Sequence, residues 1–448
     1  MSDLLKELAV LAEERNHIPP QAYNRWDVKR GLRNEDGTGV LVGLTEVGSV
    51  HGYLIDERER LPRHGQLSYR GIDIGEIVTG FQRDNRLGFE EVVYLLLFGE
   101  LPDSGRLKEF TELLGEYREL PERFNESMIL SAPSNDIMNK LARSVLALYT
   151  FDDNPDDISI PNVLRQSLRL LARFPMLIAY AYNALVHYHQ GGSLHVHPPK
   201  KELSIAENFL HVLRPDSSFT RLEAEALDLS LVLHAEHGGG NNSSFTVHVV
   251  SSSDTDTYSA IAAALGSLKG PKHGGANASV MAMMQDIKEN VSEWDDEDEV
   301  ADYLSRILRK EVFDRRGLLY GIGHAVYTLS DPRAVIFKEK AAALAEQLGD
   351  ARKREMNLYL AVEKLAPKVF AEVKGSAKVV SANVDFFSGF VYDMLGFPKE
   401  IYTAMFAMSR IAGWSAHRIE EIINGGRIIR PAYKSIVQPR AYTPLHKR

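Results

Sequence analysis

Three histidines stand inside glycine-rich turns: His237-Gly238-Gly239-Gly240-Asn241, Gly270-Pro271-Lys272-His273-Gly274-Gly275 and Gly321-Ile322-Gly323-His324. Glycine lets backbone amides and a ligand approach where a Cβ would clash, and histidine is the side chain whose ordinary pKa lies nearest neutral pH. Such turns suit proton transfer or the polarisation of a carbonyl. His237 closes an apolar-rich run from Arg221, with the glycines placed for a left-handed helix cap. It either complements the dipole at a helix C-terminus or serves as a ligand. His273 comes just before a new helix. The positive end of that helix disfavours imidazolium, so a neutral imidazole donating N–H to a developing oxyanion is one reading and an ordinary turn residue is the other.

Asp331-Pro332 reads as a helix start, Asp as cap and Pro in the first turn. Arg333 then opposes the helix dipole, which either solvent or an arriving anion relieves. Arg410 has Phe406, Ala407, Gly413 and Trp414 as its helical neighbours, and no Asp or Glu lies between Ile401 and Ile419. A buried guanidinium there needs a remote ion pair or a carboxylate or phosphate ligand. Arg430, before Pro431, is less specific by itself. Asp385, in Asn383-Val384-Asp385-Phe386-Phe387-Ser388-Gly389, is either a helix N-cap or a carboxylate desolvated by two aromatics, whose raised pKa suits a general base.

Other chemistries lack a part. His-Gly-Gly-Gly is similar to the oxyanion loop of lipases, but the nearest nucleophile string, Gly413-Trp414-Ser415-Ala416-His417, lacks the closing glycine. The 321–324 turn lacks the third glycine of a dinucleotide fingerprint, and neither a P-loop nor His-Glu-x-x-His occurs. His187, His189, His195 and His197 have His-x-His spacing in a Gly/Pro-rich surface loop, with no acid among them to complete a metal site. There is no cysteine, which removes disulfides and thiolate chemistry.

The elements that must hold these groups are mostly helical. Phe89 to Phe98, stopped by Gly99 and Pro102, Val163 to Leu185, Thr257 to Leu268, Ala276 to Ile287 and Asp331 to Leu348 all carry helix-period patterns. Short β segments are expected at Gly39–Gly43, Gly48–Tyr53 and about Gln66 to Ile72. Polar stretches at Asn154–Asp157, Ser251–Asp256 and Glu293–Glu299 read as loops or helix starts, and an irregular tail begins at Pro439. The 448 residues hold 52 Lys+Arg against 61 Asp+Glu, a formal charge of −9. Nothing in that balance attracts nucleic acid or an anionic membrane surface, so anions must be caught locally. No apolar run approaches the ~18 residues of a membrane span, and the N-terminus has no secretory pattern. A cytoplasmic location is the expectation.

Taken together, His237-Gly-Gly-Gly-Asn241, Gly-Pro-Lys-His273-Gly, Gly-Ile-Gly-His324-Ala-Val, Asp-Pro-Arg333, Asn-Val-Asp385-Phe-Phe-Ser-Gly, Ser409-Arg410 and Arg430-Pro431 resemble the citrate synthase family in order and spacing, over roughly Leu41 to Lys434. The resemblance implies a mainly α, two-domain homodimer with a small N-terminal β patch. Residues 1–273 and 387–448 would form the large domain and 274–386 the small one, with the active site in the cleft. It implies condensation of acetyl-CoA with oxaloacetate and water to citrate and CoA, without metal or permanently bound cofactor. Asp385 would take the proton from the acetyl methyl group, His273 would stabilise the enol or enolate, and His324 would protonate or polarise the ketone. His237, Asn241, Arg333, Arg410 and, from the second subunit, Arg430 would hold oxaloacetate. Leu318, Leu319, Tyr320, Gly321, Ile322 and Gly323 would offer backbone amides to the adenine end of CoA. Two departures fall on that side. Thr328 stands where many members carry Arg or Lys, and Tyr320 where a proline is common, so one CoA phosphate contact lacks its usual cation. The same motifs serve 2-methylcitrate synthase, which uses propionyl-CoA, and a catalytically silent regulator that binds carboxylates or CoA. On the choice of acyl-CoA, on allosteric control and on assembly beyond a dimer the sequence is silent.

Overall fold

The computed structural model describes residues 3–34, 36–56, 59–375 and 379–448. The chain forms two units, Met1–Leu44 with Ile55–Leu61, and Thr45–Leu54 with Pro62–Arg448. The first holds the helices Asp3–Arg15 and Pro20–Arg25 and a single bridge, Arg33 to Gly39. The strand expected at Gly39–Gly43 does not form beyond that bridge. A local turn wins instead: Asn34 N donates to Thr38 O at 2.9 Å, and Asp36 Oδ1 accepts from the Thr38 amide at 2.8 Å.

The β patch is a three-stranded sheet in the order β1 (Gly48–Asp56), β2 (Glu59–Tyr69), β3 (Ile72–Asp73), of which all but residues 55–61 belong to the second unit. The stretch expected as one segment to Ile72 is broken at Arg70-Gly71, where φ is +49° and +85°. Two successive positive φ values make a tight hairpin turn, and Tyr69 pairs with Ile72 across it.

Helices make up the rest. Phe89–Phe98 forms as expected, closed by Gly99 in the left-handed region at φ +84°. The Val163–Leu185 pattern belongs to a longer helix, Ile160–Gln190, which has Pro161 in its first turn and ends on left-handed Gly191. Tyr402–Ile423 is the axis of the unit, buried almost throughout from Tyr402 to Ile419, and it carries the fully buried Arg410, Trp414 and His417. Arg221–His234, Asn242–Ser251 and Thr257–Lys269 pack against it. Of the loop or helix start read at Glu293–Glu299, the structure gives both, a short loop and then the helix Glu297–Leu308 capped by Asp296. Beyond Asn424 the chain is irregular apart from Leu445–Lys447, so the irregular tail begins earlier than Pro439. No helix among the described residues is long and apolar enough to cross a membrane.

Candidate active site

The helix Arg221–His234 opens with a capping box between Thr220 and Glu223. It stops three residues short of His237, where the glycines had suggested a cap. Distant donors take its last carbonyls: Tyr69 Oη donates to Val232 O at 2.9 Å, Arg410 Nε to His234 O at 2.6 Å and Gly413 N to Ala235 O at 3.2 Å. His237 therefore leaves the helix and does not complement its dipole. It is 8% exposed, its ring 5.1 Å from that of His324 and 5.5 Å from that of Tyr327. Burial, followed by the charge of Arg333, holds its pKa well below the ordinary histidine value, so it is neutral.

His273 occupies the turn between Thr257–Lys269 and Ala276–Asn290. Its pKa is pushed down to about 4, by burial first and then by the charge of Arg410. The neutral imidazole expected from the helix terminus is thus secured by tertiary surroundings. Its Nε2 lies 3.1 Å from Ser243 Oγ, which also accepts from Trp414 Nε1 at 3.1 Å. The Ser243 hydroxyl has one proton to give. Given to His273 Nε2, it puts the imidazole proton on Nδ1; given to Asn241 Oδ1, 2.9 Å away, it leaves that proton on Nε2. The first arrangement presents an N–H to a ligand.

His324 and Asp385 are far apart in sequence and are joined by a short ladder. Gly323 N donates to Ser381 O at 2.7 Å, Asn383 N to Gly321 O at 2.8 Å and Asn383 Nδ2 to Gly323 O at 2.8 Å, around an antiparallel bridge between Ile322 and Ala382. Gly321 is required here: its φ is +76°, and a Cβ would meet Phe386 Cβ at 3.0 Å. His324 Nδ1 accepts from the amides of Val326 and Tyr327 at 3.0 and 3.2 Å. The neutral ring must then carry its proton on Nε2.

Asn383 caps the helix Val384–Met394, its Oδ1 accepting from Asp385 N at 3.0 Å. The capping role open to Asp385 is therefore filled, and its carboxylate is left for chemistry. Phe386 and Phe387 beside it are fully buried. Burial lifts the Asp385 pKa to about 6, against the pull of Arg333 and Arg410 and with the push of Asp331. Asp331 caps Pro332–Leu348 as expected and does more. It clamps Arg333 through Nε at 3.0 Å and Nη2 at 2.8 Å, and accepts from Val384 N at 3.1 Å. The conflict between Arg333 and its helix dipole is thus answered within the chain by Asp331.

Arg410 is 0% exposed. Of the two sequence alternatives, the remote acid is met by Glu236. Glu236, also fully buried, supports its positive charge from the His237 turn, although burial still brings its pKa down to about 10. Its Nη1 and Nη2, however, are buried with no hydrogen-bond partner among the described residues, and the same is true of His237 Nε2 and Tyr327 Oη. The Tyr327 ring stacks on His324 at 4.8 Å and lies 5.6 Å from the Arg333 guanidinium. Each buried polar group left unpaired costs about 1–3 kcal/mol. Donors held in that state beside two arginines form a mould for a ligand with several anionic acceptors.

Other expected residues are not brought here. Arg430 is exposed in the irregular segment after Ile423, tethered by Ile429 N to Ser252 Oγ at 3.0 Å. Asn241 is the N-cap of Asn242–Ser251: its Oδ1 accepts from the Ser243 amide at 3.2 Å and lies 2.9 Å from the Ser243 hydroxyl. Through the Ser243 hydroxyl it is linked to His273. In the 318–323 loop the amides of Ile322 and Gly323 donate to Leu319 O and Ser381 O, so the amides expected to meet CoA narrow to the 318–321 stretch. Of the four histidines expected in a surface loop, His187 and His189 lie instead in the last turn of the helix Ile160–Gln190; His187 and His197 are turned to backbone carbonyls, of Gly192 and Pro215, both at 3.0 Å. Sequence reasoning missed Tyr327, Ser243, Asp331 as a clamp, and Glu236. Each sits within three residues of a motif that was noticed, which was the only local signal.

Residues 36–432 match the family model described as the citrate synthase C-terminal domain. The citrate synthase of Haloferax volcanii is 35% identical over 94% of this chain and 99% of its own length. The 2-methylcitrate synthase 1 of Corynebacterium glutamicum is 33% identical over 94% and 98%. The citrate synthase of Thermoplasma acidophilum, solved as a ternary complex with carboxymethyl coenzyme A and oxaloacetate, matches with a TM-score of 0.77 at 26% identity, covering 94% of this chain and 99% of that one. With its mainly helical fold, its motifs in register and this similarity along nearly its whole length, the chain belongs to the citrate synthase family and is an enzyme of that type.

Proposed function

We propose that the protein condenses acetyl-CoA with oxaloacetate and water to give citrate and CoA. The observation that carries this reading is the set of buried donors without partners, Arg410 Nη1 and Nη2, His237 Nε2 and Tyr327 Oη, beside a carboxylate poised near neutral pH. Oxaloacetate brings two carboxylates and a ketone to those donors, and arginine's planar fork suits a carboxylate. Asp385 removes a proton from the acetyl methyl group. His273, with its proton on Nδ1, donates to the thioester oxygen as the enolate forms, a use for which neutral imidazole is fitted. His324 Nε2–H polarises the ketone, the enol carbon adds to it, and water cleaves the resulting thioester to release CoA.

In a homodimer Arg430 of one subunit completes the oxaloacetate site of the other. Closure of residues 274–386 over the rest of the chain excludes water from the enol thioester, and no permanent cofactor or metal takes part. The location we infer is cytoplasmic. On the CoA side, Thr328 binds β1 and β2, donating to Gly52 O at 2.5 Å and accepting from Arg63 N at 3.2 Å. This brings the exposed Arg63 next to the position that lacks a basic residue, and we assign it the phosphate contact.

A thiol-release assay with oxaloacetate and either acyl-CoA tests the reading. Faster turnover of acetyl-CoA supports it, and equal or faster turnover of propionyl-CoA makes the protein a 2-methylcitrate synthase. Two further results are expected. Tyr327→Phe raises the KM for oxaloacetate about 10- to 100-fold, the worth of one hydrogen bond to a charged group at ~1.5–3 kcal/mol, with kcat within twofold; an unchanged KM removes Tyr327 from the site. The base must be ionised to act and its pKa is raised to about 6, so kcat falls as pH drops through 6 and is level near neutrality. His273 stays neutral throughout that window because its own pKa is about 4. A kcat that is flat from pH 7 down to 5 contradicts the assignment of Asp385.

A further inference from the structure

Behind the His237 turn lies a second cluster of titratable groups that the condensation does not use. His417 and Glu420 stand on the Tyr402–Ile423 helix and His248 on Asn242–Ser251. His248 Nε2 is 3.2 Å from His417 Nδ1, and Glu420 Oε2 is 3.8 Å from the same nitrogen, beyond hydrogen-bonding distance. These three atoms lie within 4.8 Å of one another. The outer ring nitrogens are held by carboxylates: His417 Nε2 by Glu236 Oε1 at 2.9 Å, His248 Nδ1 by Glu421 Oε2 at 2.7 Å.

We propose that His248 Nε2, His417 Nδ1 and Glu420 Oε2 bind a divalent transition-metal ion of the zinc class. The spacing fits. Zinc bonds to histidine nitrogen at about 2.0–2.1 Å, which puts two ligand atoms of a tetrahedron about 3.3 Å apart. The nitrogen pair is already there, and Glu420 Oε2, 3.8 Å from His417 Nδ1 and within 4.8 Å of His248 Nε2, closes the triangle by a side-chain movement of about 0.5–1.5 Å toward the ~3.3 Å edge of the tetrahedron. Carboxylates on both outer nitrogens fix the ring orientations and leave the inner lone pairs facing the ion, the usual support of metal-bound histidine. Two imidazoles with one carboxylate suit zinc better than magnesium or calcium, which prefer all-oxygen sites. Without an ion, the short contact between the rings requires a proton between them, which an arriving ion displaces. His248 and Glu420 have side chains 13% and 12% exposed, against 0% for His417, so the ion has a way in.

The site also touches the substrate turn. A Cβ on Gly239 would stand 3.4 Å from His248 Nε2 and 3.5 Å from His417 Cε1. Glu236, which holds His417, precedes His237 and accepts from the Gly238 amide. An ion here braces the segment that carries His237. The proposal does not depend on the identity of the acyl-CoA.

The test uses the full-length protein, freed of metal by a chelator and titrated with Co²⁺ by visible absorption and Zn²⁺ by calorimetry. One ion per chain is expected, with a raised Tm. His248→Ala and Glu420→Gln each abolish the cobalt bands, and Glu421→Gln weakens zinc binding about 10–100-fold. In His248→Ala the thiol-release activity measured without metal stays within a few-fold of the parent, which also shows that the variant is folded. A parent that takes up no stoichiometric ion overturns the proposal. So does undiminished binding in both His248→Ala and Glu420→Gln, or binding lost instead in His195→Ala, which would place the ion in the surface histidine loop.

Discussion

Asp385→Asn lowers kcat for thiol release by about 10²–10⁴-fold, the usual worth of a positioned general base, while the Kd for oxaloacetate stays within a few-fold of the parent. The amide keeps the size of the side chain and the helix cap, because Asn383 supplies that cap. It removes only the proton acceptor. The structure gives the carboxylate no capping duty that would blur the result. Steady-state kinetics together with calorimetric titration of oxaloacetate separate chemistry from binding. A loss below tenfold assigns proton abstraction to another group and also revives a regulator that binds without turnover.

Arg410→Leu weakens oxaloacetate by about 10²–10³-fold, equivalent to roughly 3–4 kcal/mol, in the range for losing one partner of a buried charge pair. The change also leaves Glu236 without one of its neutralising charges, so a loss of stability accompanies it. Arg410→Lys separates the two effects. It keeps a cation beside Glu236 but loses the Nε bond to His234 O and the forked geometry of Nη1 and Nη2. Near-parental Tm with oxaloacetate weakened at least tenfold is the expected pattern. Parental affinity in the lysine variant would mean that charge alone, and not the fork, holds the dicarboxylate.

The parts of the fold that were legible in sequence are those decided locally. Gly99 and Pro102 end the helix at Phe98, Asp331-Pro332 starts another, and Gly270-Pro271 and Gly274-Gly275 bound the turn that holds His273. Turn chemistry was legible in kind but not in position, as the Arg70-Gly71 break shows. What escaped was set by distant partners. No reading of Arg221–His237 reveals that Tyr69, Arg410 and Gly413 take its carbonyls, yet they decide that His237 is not helical. A remote acid for Arg410 was one of the alternatives read from its helix, but nothing local names Glu236 as that acid. His237, His273, His324, Asp385, Arg333 and Arg410 were found because their types and spacing carry chemistry and resemble a family pattern. Tyr327 was not, because a tyrosine three residues after a histidine looks like any core aromatic until its hydroxyl is seen buried without a partner.

The ladder between Gly321–Gly323 and Ser381–Asn383 closes a long excursion of the chain on a pair of backbone segments. Insertions or deletions in that excursion beyond the Pro332–Leu348 helix, clear of Tyr327, Asp331 and Arg333, lengthen or shorten helices without moving His324 relative to Asp385, because both are referenced to the ladder and not to the path between them. A slip of one residue at the ladder itself has the opposite weight, since it turns every following side chain to the other face. Tolerance to length change in this protein is therefore a property of the closure point, and lineages are free to diverge in the excursion while its two ends stay in register.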